Sequence, residues 1–195
     1  MARWSAERRP SVPVTAEKRE ADGKKVRRWA KNGEAKELAA AMEEDPTLCL
    51  NVADDNGYHA LHWAVIKSHL PVVRVLIEGG AELEAEEHGD RCTPLLLAVR
   101  MEHTQVSAAL IEARANVHAE DRYGHCMLRW GAKSNQHRTL QLLLDARARN
   151  SSSGLGDDEI RLSVRERDGD VNEALRLALR GGYAEAVRAP SQLQA

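Results

Sequence analysis

Three consecutive stretches of this chain repeat one pattern of apolar and turn residues, and this repetition restricts the possible folds more than any other feature. The stretches cover residues 54–85, 88–119 and 121–150. Two apolar markers keep the same spacings of 34 and 33 residues, namely Leu61, Leu95 and Leu128 and, separately, Ala81, Ala115 and Ala148. Two markers with one period indicate tandem units, each of which buries its apolar faces against its neighbours.

Each unit is predicted to form a turn, a short helix, a second turn and a slightly longer helix. In the second unit, Thr93 is a natural N-cap and Pro94 stands at the first helical position, where its missing N–H costs nothing. Pro71 opens the second helix of the first unit in a similar way. Apolar residues of the second unit fall on one face of each helix: Leu95, Ala98 and Val99, then Val106, Ala109, Leu110 and Ala113.

The order of residues within the units is more specific than their helical period. The residues that carry this order are Asp54, Gly57, Leu61, His62, Ala64, His69, Val72, Val73, Leu76, Gly80 and Ala81 in the first unit, Thr93, Pro94, Leu95, Ala98, His103, Val106, Leu110 and Ala115 in the second, and Asp121, Gly124, Leu128, Leu142, Leu143, Leu144 and Ala148 in the third. They resemble the ankyrin repeat, whose pattern is D-x-x-G-x-T-P-L-H-x-A, then G-H-x-x-V-V-x-L-L-L, then G-A-x-x-N. The resemblance implies an all-α solenoid of helix–turn–helix units, with about three full repeats and partial capping units. It also implies that His62 and His69 support the loops by hydrogen bonding.

The resemblance and the composition together divide the chain into segments. The predicted segments are a disordered basic arm over residues 1–22, an ankyrin-repeat domain over 23–150 with a capping unit at 24–50 and repeats at 54–86, 87–119 and 120–150, a flexible insertion over 151–169, and a partial C-terminal unit over 170–189. The arm lacks apolar periodicity. The insertion begins with the sequence NSSSGLG, which is typical of a flexible segment.

Several residues depart from the repeat pattern. Arg91 replaces the turn glycine, and Arg114 and Arg147 replace the glycine that ends the second helix. If these positions keep a left-handed backbone, each arginine is strained by roughly 1 kcal/mol. Gly131 lies within a predicted helix of the third unit, where glycine costs about 1 kcal/mol relative to alanine. The third unit is therefore predicted to be the least stable.

In ankyrin proteins, the stacked turns and first helices make a concave surface that binds other proteins. The resemblance therefore implies a protein or peptide partner. The residues expected by position to face it are Asn56, Tyr58, Ile66, Lys67, Cys92, Arg100, Met101, Tyr123, His125, Lys133 and Ser134. Exposed Tyr, Arg and Met suit an interface. The plainer interpretation is that some of these residues only cover neighbouring turns. Trp63 and Trp130, at equivalent helix positions, are predicted to pack between helices.

The net charge of −2 hides an uneven distribution. Residues 1–31 hold ten Lys and Arg against four Asp and Glu, whereas the remaining residues hold 18 against 26. An acidic body disfavours nucleic-acid binding, because phosphate contacts need clustered positive charge. Two alternatives to a protein-binding adaptor stay open: a regulatory ankyrin fragment of an enzyme or signalling protein whose catalytic part is absent from this chain, and nucleic-acid binding through the basic arm.

No pattern of catalytic or metal-binding residues is found in the sequence. The eight histidines have no ligand spacing, and Cys49, Cys92 and Cys126 form no CxxC pair. The chain is therefore predicted to be neither an enzyme nor a cofactor-binding protein. The cysteine usage and the lack of a secretory signal indicate an intracellular protein, and no apolar run approaches the ~18–20 residues that span a bilayer. A cytoplasmic location is preferred, although residues 24–27 (KKVR) resemble a short nuclear-import signal.

Overall fold

A computed structural model of the chain describes residues 15–134 and 136–150, which form eight α-helices in four consecutive pairs. The helices are α1 (Ala16–Asn32), α2 (Ala35–Glu44), α3 (Ala60–Ile66), α4 (Leu70–Glu78), α5 (Pro94–Arg100), α6 (Thr104–Glu112), α7 (Met127–Lys133) and α8 (His137–Asn150). The prediction of an all-α fold made of helix–turn–helix units is confirmed. The predictions for residues 1–14, 151–169 and 170–189 lie outside the described residues.

The helices form two rows, because each helix contacts its equivalent in the neighbouring pair. Helices α1, α3, α5 and α7 form the first row, and α2, α4, α6 and α8 form the second row. The two helices of each pair also contact each other. This is the arrangement of a solenoid, in which each unit is stabilised by its neighbours. None of the helices described here combines the length and the apolar character that a membrane span needs.

The hydrophobic core runs the length of the stack. Leu61, Leu95 and Leu128 are each 1% exposed, so the three repeats place this leucine in like surroundings. Burial of a leucine side chain stabilises a fold by about 2 kcal/mol. The alanines that follow the second-row helices of the first two repeats, Ala81 and Ala115, are buried as well. These three leucines and two alanines therefore belong to one continuous core.

The predicted starts of two helices are confirmed. The Thr93 hydroxyl accepts a hydrogen bond from the backbone N–H of Leu96 at 3.3 Å, and Pro94 is the first residue of α5. Helix α4 begins one residue before Pro71, which therefore lies in the first turn. In both places proline stands where a helix has no internal acceptor for an N–H group.

The N-terminal boundary differs from the prediction. The sequence predicts a disordered arm up to residue 22, whereas α1 begins at Ala16 and is capped by the Thr15 hydroxyl. The first two turns of this helix carry almost only polar residues, which is why the apolar period does not reveal them. The buried residues of the helix are Gly23, Val26, Trp29 and Ala30.

Among the described residues, four that are not glycine adopt the left-handed backbone region that favours glycine. Their φ angles are 56° at Ser68, 57° at Arg91, 63° at Glu102 and 67° at Arg114. The left-handed backbone on which the predicted strain depends is therefore present at Arg91 and Arg114. Arg147 instead lies inside α8, which continues to Asn150 because the alanines and arginines there favour the helix.

We expect Arg114→Gly to stabilise the protein by roughly 0.5–1 kcal/mol, because glycine removes the left-handed strain and partly offsets this gain through its freedom in the unfolded chain. Gly80 adopts the same conformation, with a φ of 75°, at the equivalent position of the preceding repeat. The free energy of unfolding in urea, followed by circular dichroism, measures the effect. The control is Arg74→Gly, which alters an exposed arginine inside α4 and should destabilise by about 1 kcal/mol. An Arg114→Gly protein less stable than the parent would contradict the assigned strain.

Candidate protein-binding surface

The turn before α3 is organised by the carboxylate of Asp54. It accepts hydrogen bonds from the backbone N–H groups of Asn56 and Tyr58 at 3.1 and 2.9 Å, and from the indole N–H of Trp63 at 3.0 Å. Burial alone would raise the pKa of Asp54, but these hydrogen bonds outweigh burial and lower that pKa below its usual value. The charged carboxylate therefore fixes both the turn and the ring of Trp63.

The turn before α7 repeats this arrangement around Asp121. The backbone N–H groups of Tyr123 and His125 both donate to its carboxylate at 2.9 Å, and the indole N–H of Trp130 donates at 3.3 Å. The His125 ring contributes a further contact, with Nδ1 at 3.1 Å from the second carboxylate oxygen. Burial alone would raise the pKa of Asp121, but the backbone hydrogen bonds outweigh burial and lower that pKa below its usual value.

The turn before α5 uses a different carboxylate. The repeat spacing puts His88 in the place of the turn aspartate, whereas the structure puts Glu87 there. The backbone N–H groups of Asp90 and Cys92 donate to Glu87 Oε1 at 2.6 and 3.2 Å, and that of Gly89 donates to the other carboxylate oxygen. Glu87 is only 4% exposed, so a buried glutamate performs the role that an aspartate has in the other two turns.

This middle turn is also one residue longer than the turn before α3. The backbone N–H of Asp54 donates to the carbonyl of Tyr58, four residues on, whereas that of Glu87 donates to Cys92, five residues on. The additional residue explains why Leu95 of α5 follows Leu61 by 34 residues, whereas Leu128 of α7 follows Leu95 by 33. A glutamate side chain is one methylene longer than an aspartate, which suits it to the wider turn.

Backbone hydrogen bonds join each turn to the one before it. The N–H of His88 donates to the carbonyl of Asn56 at 2.9 Å, and the N–H of Arg122 donates to the carbonyl of Asp90 at 2.7 Å. The guanidinium of Arg122 also donates to the carbonyl of His88 at 3.2 Å. The three turns therefore form one continuous edge of the stack.

Beside this edge, cations lie over two indole rings. Lys31 Nζ is 3.8 Å from the ring centroid of Trp63, and Arg100 Cζ is 5.3 Å from that of Trp130. In both contacts the cation belongs to the end of one first-row helix and the ring to the next first-row helix. Lys133 Nζ also lies 5.4 Å from the Trp130 ring. Exposed contacts of this kind contribute about 0.5–1 kcal/mol each.

We call this surface the first-helix face, defined as the turns before α3, α5 and α7 together with the exposed sides and C-terminal ends of the first-row helices. Two equivalent aromatic pairs lie on it, with ring centroids 5.3 Å apart for Tyr58 and Trp63 and 5.8 Å apart for His125 and Trp130. Tyr123 projects beside the second pair and is 67% exposed. The face therefore offers rigid aromatic rings with cations close to them.

A family model of the ankyrin repeat matches residues 56–87 and 90–122, which contain α3 to α6. These residues of the chain are therefore ankyrin repeats. The pair α7 and α8, beyond the matched residues, keeps the same contacts with its neighbours, so the ankyrin arrangement continues into the third repeat.

Curated relatives share this ankyrin region. The Nuclear factor NF-kappa-B p105 subunit of Gallus gallus is 33% identical over 113 residues, which are 55% of this chain and 12% of the relative. The probable E3 ubiquitin-protein ligase XBOS32 of Oryza sativa subsp. japonica is 29% identical over 125 residues, 64% of this chain and 25% of the relative. The Neurogenic locus notch homolog protein 1 of Xenopus tropicalis is 32% identical over 121 residues, 62% of this chain and 5% of the relative. The chain thus spans a quarter or less of each of these relatives.

The structure leaves most of the predicted partner-facing residues accessible. Six are exposed: Asn56, Lys67, Arg100, Met101, Tyr123 and Lys133. Four are half-buried: Tyr58, Ile66, His125 and Ser134. All ten lie in the turns before the first-row helices or at the ends of those helices, so the ankyrin register puts them on one face.

Cys92 is the exception, and the expectation that it is accessible is wrong. Its side chain is fully buried inside the middle turn, where burial raises the pKa of the thiol to about 11. Arg100 covers it, with Nη1 at 3.7 Å from Sγ. The equivalent residues of the other two turns, Tyr58 and His125, have longer side chains that reach the surface, whereas cysteine is too short to do so.

Four residues of this face escape the ankyrin-based prediction. Trp63 and Trp130 do pack against the core, as predicted, but both stay half-exposed and carry cations. Lys31 belongs to the capping unit, and Asp90 pairs with Arg100 at 2.6 Å. The spacing of 67 residues between the two tryptophans, which is two repeats, is the signal that relates them. Nothing in the sequence indicates their contacts with Lys31 and Arg100, because each of these cations lies about one repeat away from the ring.

His62 joins the first two repeats beneath this face. Its Nδ1 accepts the backbone N–H of His59 at 3.1 Å, so its Nε2 carries the proton and donates to the carbonyl of Cys92 at 3.3 Å. The Nε2 of His69 similarly contacts the carbonyl of Lys31 at 3.2 Å. The predicted role of both histidines in supporting the ankyrin loops by hydrogen bonding is confirmed.

We expect Glu87→Ala to destabilise the protein by about 3 kcal/mol, because three backbone N–H groups of the middle turn lose their acceptor. The midpoint and slope of urea unfolding measure this loss. Glu86→Ala is the matched control, since Glu86 is an exposed neighbour that pairs only with Arg91, at 2.7 Å, and its loss should cost under about 1 kcal/mol. The double variant Glu87→Ala/His88→Asp should recover part of the stability, since it restores a turn aspartate. Equal losses in the two single variants would contradict the role of Glu87.

Burial lowers the pKa of His62 to about 4 from 6.5, which makes the stability of the protein pH-dependent. Below pH 6.5 the unfolded chain binds a proton at this residue that the folded chain does not bind until about pH 4. The free energy of unfolding should therefore fall by about 3 kcal/mol over that window, from the pKa difference of about 2.5.

The comparison that isolates this effect is His62→Leu, because Leu96 holds the equivalent place in α5. This variant should be less stable at neutral pH but should lose less stability on acidification. His118→Gln, at an exposed histidine, should keep the parent's pH dependence. Urea unfolding across the pH window measures all three proteins, and parallel curves for the parent and His62→Leu would refute the assignment.

Proposed function

We propose that this ankyrin-repeat chain binds a protein or peptide partner on the first-helix face. Ankyrin repeats generally mediate interactions between proteins. The observation that carries the proposal for this face is the anchoring of Trp63 and Trp130 by Asp54 and Asp121 at a half-exposed surface. Aromatic rings held in place before binding lose little conformational entropy when a partner arrives, and such rings contribute strongly to interfaces.

The distribution of exposed apolar side chains also favours this face. Among the described residues, the large hydrophobic side chains that stand exposed are Met101 at 40% and Tyr123 at 67%, and both lie on the first-helix face. The exposed side chains of the second-row helices include the polar residues Lys36, Arg74, Gln105 and Arg138. A partner can therefore bury more apolar surface on the first row than on these second-row positions.

Site-specific photo-crosslinking tests this assignment. A photoreactive phenylalanine analogue at the position of Tyr123 should form adducts with a partner in native extract, whereas the same analogue at Gln105 in α6 should not. Mass spectrometry of the adducts reads out the yield and identifies the captured protein. Equal adduct yields from the two positions would remove the first-helix face as the binding surface.

Affinity measurements with the purified captured partner make the test quantitative. Arg100→Ala and Tyr123→Ala should each weaken binding more than about fivefold, as truncation of a central interface residue commonly does. Arg74→Ala and Gln105→Ala, on the second row, should leave the affinity unchanged. Circular dichroism confirms beforehand that each variant keeps its helical content, because Arg100 also contacts Asp90 and Trp130.

A second candidate function is a recognition segment within a larger enzyme. Two rice relatives carry the name probable E3 ubiquitin-protein ligase, and the matched region covers 25% and 24% of their lengths. In that case the first-helix face would select a protein for the rest of the enzyme to act on. An activity assay of the native protein discriminates the two candidates: an enzyme would modify a protein captured on the first-helix face, whereas an adaptor would bind that protein and leave it unchanged.

A further inference from the structure

The C-terminal ends of the first-row helices carry a row of cations. The row, which we call the cation row, consists of Lys31 in the last turn of α1, Lys67 after α3, Arg100 at the end of α5 and Lys133 at the end of α7. All four side chains are exposed. The repeat architecture therefore places one cation per repeat in a line along the stack.

Among the residues that the structure describes, most of this positive charge has no acidic partner. Arg100 pairs with Asp90 at 2.6 Å, but Lys31, Lys67 and Lys133 form no ion pair with any residue in 15–134 or 136–150. The four turns at these helix ends contain two carboxylates, Glu34 and Glu102, against the four cations. The cation row therefore keeps a positive balance.

The carboxylates of the neighbouring edge keep their negative charge, but hydrogen bonds and an ion pair hold them in the turns before the first-row helices. Asp54, Glu87 and Asp121 accept backbone hydrogen bonds inside the turns. Glu86 pairs with Arg91 at 2.7 Å. Negative charge on the first-helix face therefore lies mainly in the turns before α3, α5 and α7, and the cation row concentrates positive charge at the opposite ends of these helices.

We propose that the partner presents an acidic protein segment, with apolar residues between its carboxylates, to the cation row. This inference rests on the proposed function of the first-helix face. The apolar residues would lie against Ile66 and Met101, which directly adjoin Lys67 and Arg100 in the sequence. Complementary charge of this kind sets the orientation of a partner and speeds its association.

An acidic protein segment fits the cation row better than a nucleic acid does. Duplex DNA carries one negative charge per about 1.7 Å, a density that a row with one cation per repeat does not match. Glu34 and Glu102, in the same turns, would repel a continuous phosphate backbone. A protein segment can instead place its carboxylates only where cations are present.

Selection from a phage-displayed library of random short peptides tests this proposal. Peptides selected on the unmodified protein should be enriched in Asp and Glu, with apolar residues between them. A representative selected peptide should bind the variant Lys31→Gln/Lys67→Gln/Lys133→Gln about tenfold more weakly, as the loss of three exposed ionic contacts implies. Fluorescence anisotropy of the labelled peptide measures the affinity, and raising the salt concentration should reproduce part of the loss.

The matched control is Lys36→Gln/Arg74→Gln/Arg138→Gln, which removes the same charge from exposed positions of the second row and should bind like the parent. An equal loss in both triple variants would show a general charge effect and would overturn the proposal. Duplex DNA that binds more tightly than the peptides, and with the same dependence on the cation row, would overturn it in favour of a nucleic acid.

The failure of this inference can be told apart from failure of the proposed function. The selected peptides could lack an excess of Asp and Glu and still bind the Tyr123→Ala variant more weakly than the parent. This result would overturn the proposal of an acidic partner and would leave the first-helix face as the binding surface. Peptides that lose affinity only in the second-row variant would overturn both proposals.

Discussion

The structure depends on two kinds of contact between neighbouring repeats. Each repeat provides hydrogen-bond partners for backbone groups of its neighbours, and each repeat buries the apolar faces of its neighbours. The imidazole of His62 reaches the carbonyl of Cys92 in the next turn, and the N–H of His88 reaches back to the carbonyl of Asn56. A buried backbone group without such a partner costs about as much as a lost hydrogen bond. The turn edge and the core are therefore coupled, because a repeat that separates from its neighbour loses both sets of contacts.

The repeats differ in the carboxylate that accepts the N–H groups of each turn. The first and third turns use an aspartate that also holds a tryptophan indole, whereas the middle turn uses Glu87 and has Leu97 in the place of the tryptophan. Leu97 has no N–H to donate, so all the hydrogen bonds given for Glu87 come from backbone groups of its own turn. The face therefore consists of two aromatic anchors separated by a repeat in which Leu97 of α5 stands in the place of the tryptophan.

The sequence predicts the features that follow the repeat period. It does not predict contacts between side chains that lie far apart in the chain. The leucine spacing locates the repeats and most of the exposed face, since both follow directly from register. It misplaces Cys92, because burial there depends on the extra residue of the middle turn and on Arg100 above it. It misses the start of α1 for a related reason: the first turns of that helix bury little, so no apolar pattern marks them. The contact of Lys31 with Trp63 cannot be read from the sequence because it joins two repeats.

The near-neutral composition of the chain is a poor guide to the charge that a partner meets. The net charge is −2, but carboxylates such as Asp54 and Asp121 are held in the turns by N–H donors, which also keep them ionised. Ammonium groups have no comparable use in a turn, because backbone N–H groups need acceptors, and so Lys67 and Lys133 stay exposed at the helix ends. Turns built on carboxylate acceptors place negative charge before the first-row helices, whereas the cation row lies at the C-terminal ends of those helices. The charge that a partner meets therefore depends on which end of these helices it contacts.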